Sequence, residues 1–129
     1  MNNQELYQIA MNRINHKELK NSGISGHVAC ALETKAGTIY TGVCIDIPCS
    51  LGLCAEQAAI AEMVKNNETI IKKIVAVYES GKILPPCGKC REFIAQIDQH
   101  NLTTKVILPE MAEEELQELL PERWDYIWN

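Results

Sequence analysis

Apolar residues along this chain fall into two kinds of run, some spaced as on one face of a helix and some packed continuously as in a covered strand. Leu6, Ile9, Ala10 and Ile14 recur at helical intervals, so residues 5–16 read as a helix with one apolar stripe. The polar stretch 21–26, with Gly23 and Gly26, reads as a loop. It leads into apolar residues 28–32, a turn at Lys35-Ala36-Gly37 and a second run at 38–43, the pattern of a β-hairpin. Residues 45–52 carry no period; Pro48 forbids a central ladder, and Ser50 or Gly52 suits the residue ahead of a helix. Over 54–65, Ala55, Ala58, Ala59 and Ala61 join Ile60, Met63 and Val64 in a helix that is apolar nearly all round and is therefore expected to be buried.

Residues 70–78 form a β-branched run expected of a strand covered on both faces. Phe93, Ile94 and Ile97 give residues 90–97 helical spacing, residues 103–108 read as a short strand, and 112–120 read as an acidic helix closed by Pro121. This alternation predicts a layered α/β domain with a sheet between helices and a hairpin at one edge. Ligands gather in such sheets where strands end and helices begin, which puts Cys54, Cys87 and Cys90 near one another.

Composition narrows the function classes. At 129 residues with 47% hydrophobic content, the chain is expected to be one domain spanning 1–129. Twelve Lys and Arg stand against 17 Asp and Glu, a net charge of −5, and no dense basic stripe appears, which argues against nucleic acid as a partner. The first residues lack the basic and apolar regions of a signal peptide, and no apolar run approaches a membrane span, so a cytoplasmic protein without a membrane partner is expected. In a reduced compartment, Cys-x-x-Cys points to metal or redox work rather than to disulfides.

The candidate chemistry lies in Leu53-Cys54-Ala55-Glu56 and Pro86-Cys87-Gly88-Lys89-Cys90-Arg91. Both motifs fall at helix starts, where partial positive charge and free N–H groups favour thiolates. Cys87 and Cys90, at i and i+3, can share one ion across a first turn, with Cys54 closing the triangle. A zinc ion on three protein ligands keeps a fourth position for water and lowers that water's pKa to about 7. Glu56, two residues beyond Cys54, is then placed to shuttle protons as general base and acid. Two alternatives stand beside this reading. One is a non-enzymatic zinc-stabilised binding module whose closed site takes a fourth ligand from Cys49, Cys44 or His27. The other is redox chemistry at Cys87 and Cys90, which leaves Cys54 and Glu56 unexplained.

The pairing of Cys54-Ala55-Glu56 with Pro86-Cys87-Gly88-Lys89-Cys90-Arg91 resembles the small zinc-dependent cytidine deaminase family, and the likeness extends from His27-Val28 through the hairpin to the ending Leu119-Leu120-Pro121. The resemblance implies a three-layer α/β/α sandwich with a mixed five-stranded sheet, Zn2+ on Cys54, Cys87 and Cys90, and Glu56 as proton shuttle. The implied reaction is hydrolytic removal of the amino group from a pyrimidine-like ring. Members usually carry Asn-x-Glu after the second hairpin strand to hold the ribose hydroxyls, where this chain has Cys44-Ile45-Asp46. A Cys is only a weak donor and acceptor, so cytidine is expected to be a weaker substrate than another compound. The His-Val opening of the first strand and the Leu-Leu-Pro tail are similar to the blasticidin-S deaminase branch. Gln57 stands where many three-cysteine members have Arg, with Arg91 nearby.

By the same resemblance, His27, Cys44, Asp46, Ala55 and Trp124 are candidate substrate contacts, and a homo-oligomer, a tetramer or a dimer, is implied, with Trp124 or Tyr126 helping to close a pocket. Cys30 reads as a small core residue. Glu113, Glu114 and Glu115 read as a solvated helix face.

Overall fold

The structure, a computed structural model, describes residues 1–125. Helix α1 (Asn3–Met11) starts at the Asn2 cap, whose side chain accepts from the Glu5 N–H at 2.8 Å. A short strand β1 (Lys17–Glu18) precedes the hairpin of β2 (Ile24–Thr34) and β3 (Ile39–Asp46). Helix α2 (Ala55–Lys65), strand β4 (Ile71–Tyr78), helix α3 (Gly88–Ile97), strand β5 (Lys105–Ile107), strand β6 (Glu113–Glu115) and one turn of helix, α4 (Leu116–Leu119), complete the order.

The sheet is mixed. Strand β2 pairs antiparallel with β1, β3 and β4, β4 runs parallel to β5, and β5 pairs antiparallel with β6. The resemblance implies five strands, and the two-residue β1 makes a sixth. Alternation along β2 sends Ala29 and Ala31 to one face and Cys30 and Leu32 to the other. The first face packs on Leu6 and Ala10 of α1; the second packs on Ala55, Ala59, Ile60 and Met63 of α2 and Ile94 of α3. Helices therefore cover both faces, and the expected three layers are present. Helix α2 is buried on one face only: Ala55, Ala59, Ile60 and Met63 point inward while Ala61 and Val64 are exposed, so the expected all-round burial is not met. The inner face lies so close to β3 that a Cβ at Gly42 would run into the backbone nitrogen of Ala59.

The acidic stretch departs from expectation. Residues 113–115 form an edge strand rather than part of a helix, with Lys105↔Glu115 and Ile107↔Glu113 as cross-strand partners and the Lys105 ammonium 3.3 Å from Glu115. Charges on an edge strand also discourage further pairing. Tyr126 and Trp128 lie outside the described residues. Among the described residues, no helix is long and apolar enough to cross a membrane.

Asn101 is the polar keystone beneath α3. Fully buried, it accepts from the Ile71 N–H at 2.8 Å and donates to the carbonyls of Thr69 (3.0 Å) and Ile94 (3.1 Å). Asn101→Ala would strand these backbone groups in the core, each orphan costing about 1–3 kcal/mol in isolation. A net loss of about 3 kcal/mol is expected, read from the midpoint of urea denaturation.

Candidate metal centre

Cys54 caps α2 from outside the helix, and Cys87 occupies the same position ahead of α3. Cys90 lies one turn inside α3, fully buried. The start of α2 is fixed by Gln57, whose side-chain oxygen accepts from the Cys54 backbone N–H at 3.1 Å and closes a capping box. Neither Ser50 nor Gly52 serves as the cap. Both belong to a turn in which consecutive residues Cys49 (φ 65°) and Ser50 (φ 57°) take left-handed backbone, after which Ile45 and Leu53 exchange two backbone hydrogen bonds at 3.0 Å. That pairing delivers Cys54 to the helix. Arg91 anchors the second motif, donating from Nε to the Pro86 carbonyl at 2.8 Å and from Nη1 to the Leu119 carbonyl at 3.0 Å.

The Sγ atoms of Cys54, Cys87 and Cys90 all lie within 4.8 Å of one another. Thiolates at about 2.3 Å from a tetrahedral ion stand roughly 3.8 Å apart, so small side-chain adjustments seat one metal. Burial, together with the charges of Cys87 and Glu56, holds the Cys54 thiol above its ordinary range. Burial, Glu56 and the two neighbouring thiols push Cys90 up. At Cys87 burial acts upward too, but the Cys90 backbone N–H, the Cys90 thiol and the Lys89 N–H outweigh it and lower the value. Two thiols held above the ordinary range and one below it, grouped beside a carboxyl, form a donor set that a divalent, thiophilic cation satisfies. The residues fit zinc.

Glu56, on the first turn of α2, is 6% exposed. Burial raises its carboxyl pKa, against the opposing pull of its own backbone N–H and the Cys90 thiol. Cys54, Glu56 and Cys87 line one cavity of about 490 Å3, walled by apolar Val28, Leu53, Ala76, Leu84 and Pro85. A buried carboxyl beside two thiols in a cavity with largely apolar walls can move protons on a flat ring held there.

Of the other sequence candidates, His27, Cys44, Asp46 and Ala55 line the same cavity. His27 Nε2 is 2.9 Å from Asp46 Oδ2, and Cys44 Sγ lies 3.4 Å from Nδ1 and 3.5 Å from Nε2 of the same ring. These three residues form a second donor cluster, separate from the three thiols. Trp124 is not among the residues lining the cavity; its indole N–H donates to Glu92 of α3 at 2.7 Å. Cys30 is fully buried in the sheet, and burial raises its thiol pKa well above the ordinary value. Sequence reading missed Ser50 and Lys89 as cavity residues and Gln57 as the residue that closes the capping box with Cys54. The last had a legible signal, a Gln three residues beyond a cap position.

Residues 1–106 match the family described as cytidine and deoxycytidylate deaminase zinc-binding region. The chain is 30% identical over 104 residues to a blasticidin-S deaminase of Bacillus cereus, with 74% of each chain covered. It is 33% identical over 98 residues to a cytidine deaminase of Shewanella halifaxensis; that match takes in 74% of this chain and 31% of the relative, so the chain spans about a third of that longer protein. The crystal structure of cytidine deaminase from Mycobacterium leprae superposes with a TM-score of 0.80 over 95% of this chain and 99% of that one, at 24% identity, which establishes likeness of fold.

Proposed function

The chain belongs to the cytidine and deoxycytidylate deaminase zinc-binding family, and from that premise we propose that it hydrolytically deaminates an aminated pyrimidine-type base in a free nucleoside or nucleoside-like compound. Cytidine, deoxycytidine and a modified cytosine nucleoside such as blasticidin S are the candidate substrates. One observation carries the reading. Three thiols lie within 4.8 Å of one another, and two of them, Cys54 and Cys87, line a cavity together with the buried Glu56.

Zinc, when bound, supplies Lewis acidity and lowers the pKa of water at its open position. Cys54, Cys87 and Cys90 hold the ion. Glu56 takes a proton from the attacking water and returns it to the departing amine, so that water and the aminated ring give the carbonyl product and ammonia. Val28, Leu53, Ala76, Leu84 and Pro85 keep bulk water off the ring. His27, Cys44, Asp46 and Ala55 act as the substrate-facing wall, and Trp124 contributes through its hold on α3. Of the three fourth ligands a closed site could draw on, Cys44 and His27 belong to the separate cluster and Cys49 is not grouped with the three thiols, which supports an open site.

The chain is expected to act in a reducing cytoplasm, where its six cysteines remain thiols. Trp124, 57% exposed, is suited to a contact between copies in a homo-oligomer, a tetramer or a dimer, which sedimentation measures directly. The central test is ammonia release from cytidine, deoxycytidine, cytosine and blasticidin S by zinc-loaded protein. Turnover of at least one of the nucleoside-like compounds is expected, with cytidine slower than the best. No release from any would sink the assignment, and cytidine as the fastest substrate would remove the expected shift away from it.

A further inference from the structure

Resting on the deaminase reading, we propose that His27 and Asp46 form an acceptor-only wall that selects substrates bearing a cationic, hydrogen-bond-donating appendage and disfavours phosphorylated ones. The hairpin builds this wall by an irregularity. Ile24 and Ser25 pair with Asp46 and Ile45, but regular register resumes only at Ala29↔Val43, so a bulge falls at residues 26–28. Gly26, at φ 79°, provides the bend, and a Cβ there would strike the carbonyl oxygen of Asn15. The bulge re-aims His27 toward the end of β3.

The hydrogen-bonding roles follow from the partners. A carboxylate only accepts, so the 2.9 Å contact requires the proton on His27 Nε2, with Asp46 accepting it. In the neutral ring Nδ1 then carries a lone pair. Cys44 does not use that lone pair well. A sulfur almost equidistant from both ring nitrogens, at 3.4 and 3.5 Å, would collide with the carbon between them if it lay in the ring plane. It therefore rests on the ring face, as packing. His16 also lies near the ring, centroids 5.3 Å apart at 44°, itself held by Glu79 at 2.6 Å. His27 is thus clamped, and its Nδ1 has no nitrogen or oxygen partner among the described residues.

The Asp46 side chain is 62% exposed, so its carboxylate has room to accept a further donor. Charge around the cavity points the same way. The lining holds the carboxyls of Asp46 and Glu56 against the single ammonium of exposed Lys89. An ammonium or guanidinium offers donors to both acceptors and gains the attraction of Asp46. A hydroxyl offers donors alone, and a phosphate offers neither and is repelled.

A series differing at one position tests this. 5′-Amino-5′-deoxycytidine, cytidine and cytidine 5′-monophosphate are titrated calorimetrically into zinc-loaded Glu56→Gln protein, which reads binding without turnover. Affinity is expected to fall in that order, by at least about tenfold from amine to phosphate, as loss of a charged hydrogen bond implies. Asp46→Asn in the same background should compress the spread to about threefold or less, since the amide can donate to phosphate. His27→Phe preserves the ring that Cys44 and His16 pack on and should weaken the amine and cytidine but not the monophosphate. A flat or reversed order, a spread unaltered by Asp46→Asn, or no binding of any probe would overturn the proposal. Ammonia release by the wild-type protein judges the deaminase reading separately.

Discussion

Glu56→Gln is expected to lower ammonia release at least about a thousandfold while leaving zinc content and the thermal midpoint near those of the wild type. A positioned general acid–base group contributes roughly 10²–10⁴ in rate, and here one carboxyl serves both directions of proton transfer, which places the effect at the upper end. The substitution is nearly isosteric, so it neither opens a cavity beside Ala55 and Ala59 nor disturbs the Gln57 cap that fixes Cys54. What it removes is a group that can gain and lose a proton. Burial, which raises the Glu56 pKa, also keeps water from taking over the relay, so little rescue by solvent is expected. Metal analysis and a melting curve on the same preparation separate lost chemistry from lost structure. Turnover within tenfold of the wild type, with zinc in place, would remove Glu56 from the mechanism.

The parts of this site that could be read from the sequence are those set by local chemistry. Cys54, Glu56, Cys87 and Cys90 lie within short motifs, whereas the apolar surround of α2 overstated its burial, since Ala61 and Val64 stay exposed. The parts that escaped depend on pairing at a distance. Glu113, Glu114 and Glu115 have poor strand propensity and were expected on a helix, yet the open edge of β5 recruits them as β6, since sheet pairing overrides intrinsic preference. The contact of His27 with Asp46 spans 19 residues and depends on a bulge that no alternation of apolar and polar residues encodes. Likewise the turn ahead of Cys54 uses left-handed Cys49 and Ser50, where Asn or Gly would have advertised it. These misses depend on tertiary pairing or backbone geometry, while the three thiols of the motifs do lie together, as their positions at two helix starts suggest.

Replacing Cys90 and replacing Cys44 by alanine are expected to have opposite consequences for the metal, and the contrast decides between an open and a closed site. Cys90 is fully buried and is one of the three grouped thiols, so Cys90→Ala should reduce bound zinc from one ion per chain to a small fraction. Stability should follow the metal. A ligand present at about a thousandfold above its dissociation constant stabilises by roughly 4 kcal/mol, and that increment disappears with the site. Added zinc should therefore raise the thermal midpoint of chelated wild-type protein and leave that of Cys90→Ala unmoved. Cys44→Ala should keep the full zinc complement, because Cys44 rests on the His27 ring and belongs to the other donor cluster. X-ray absorption of the wild type should correspondingly show three sulfurs and one lighter atom at the metal. Loss of zinc in Cys44→Ala, or four sulfurs in the absorption spectrum, would establish the closed structural site and refute the open one on which hydrolysis depends.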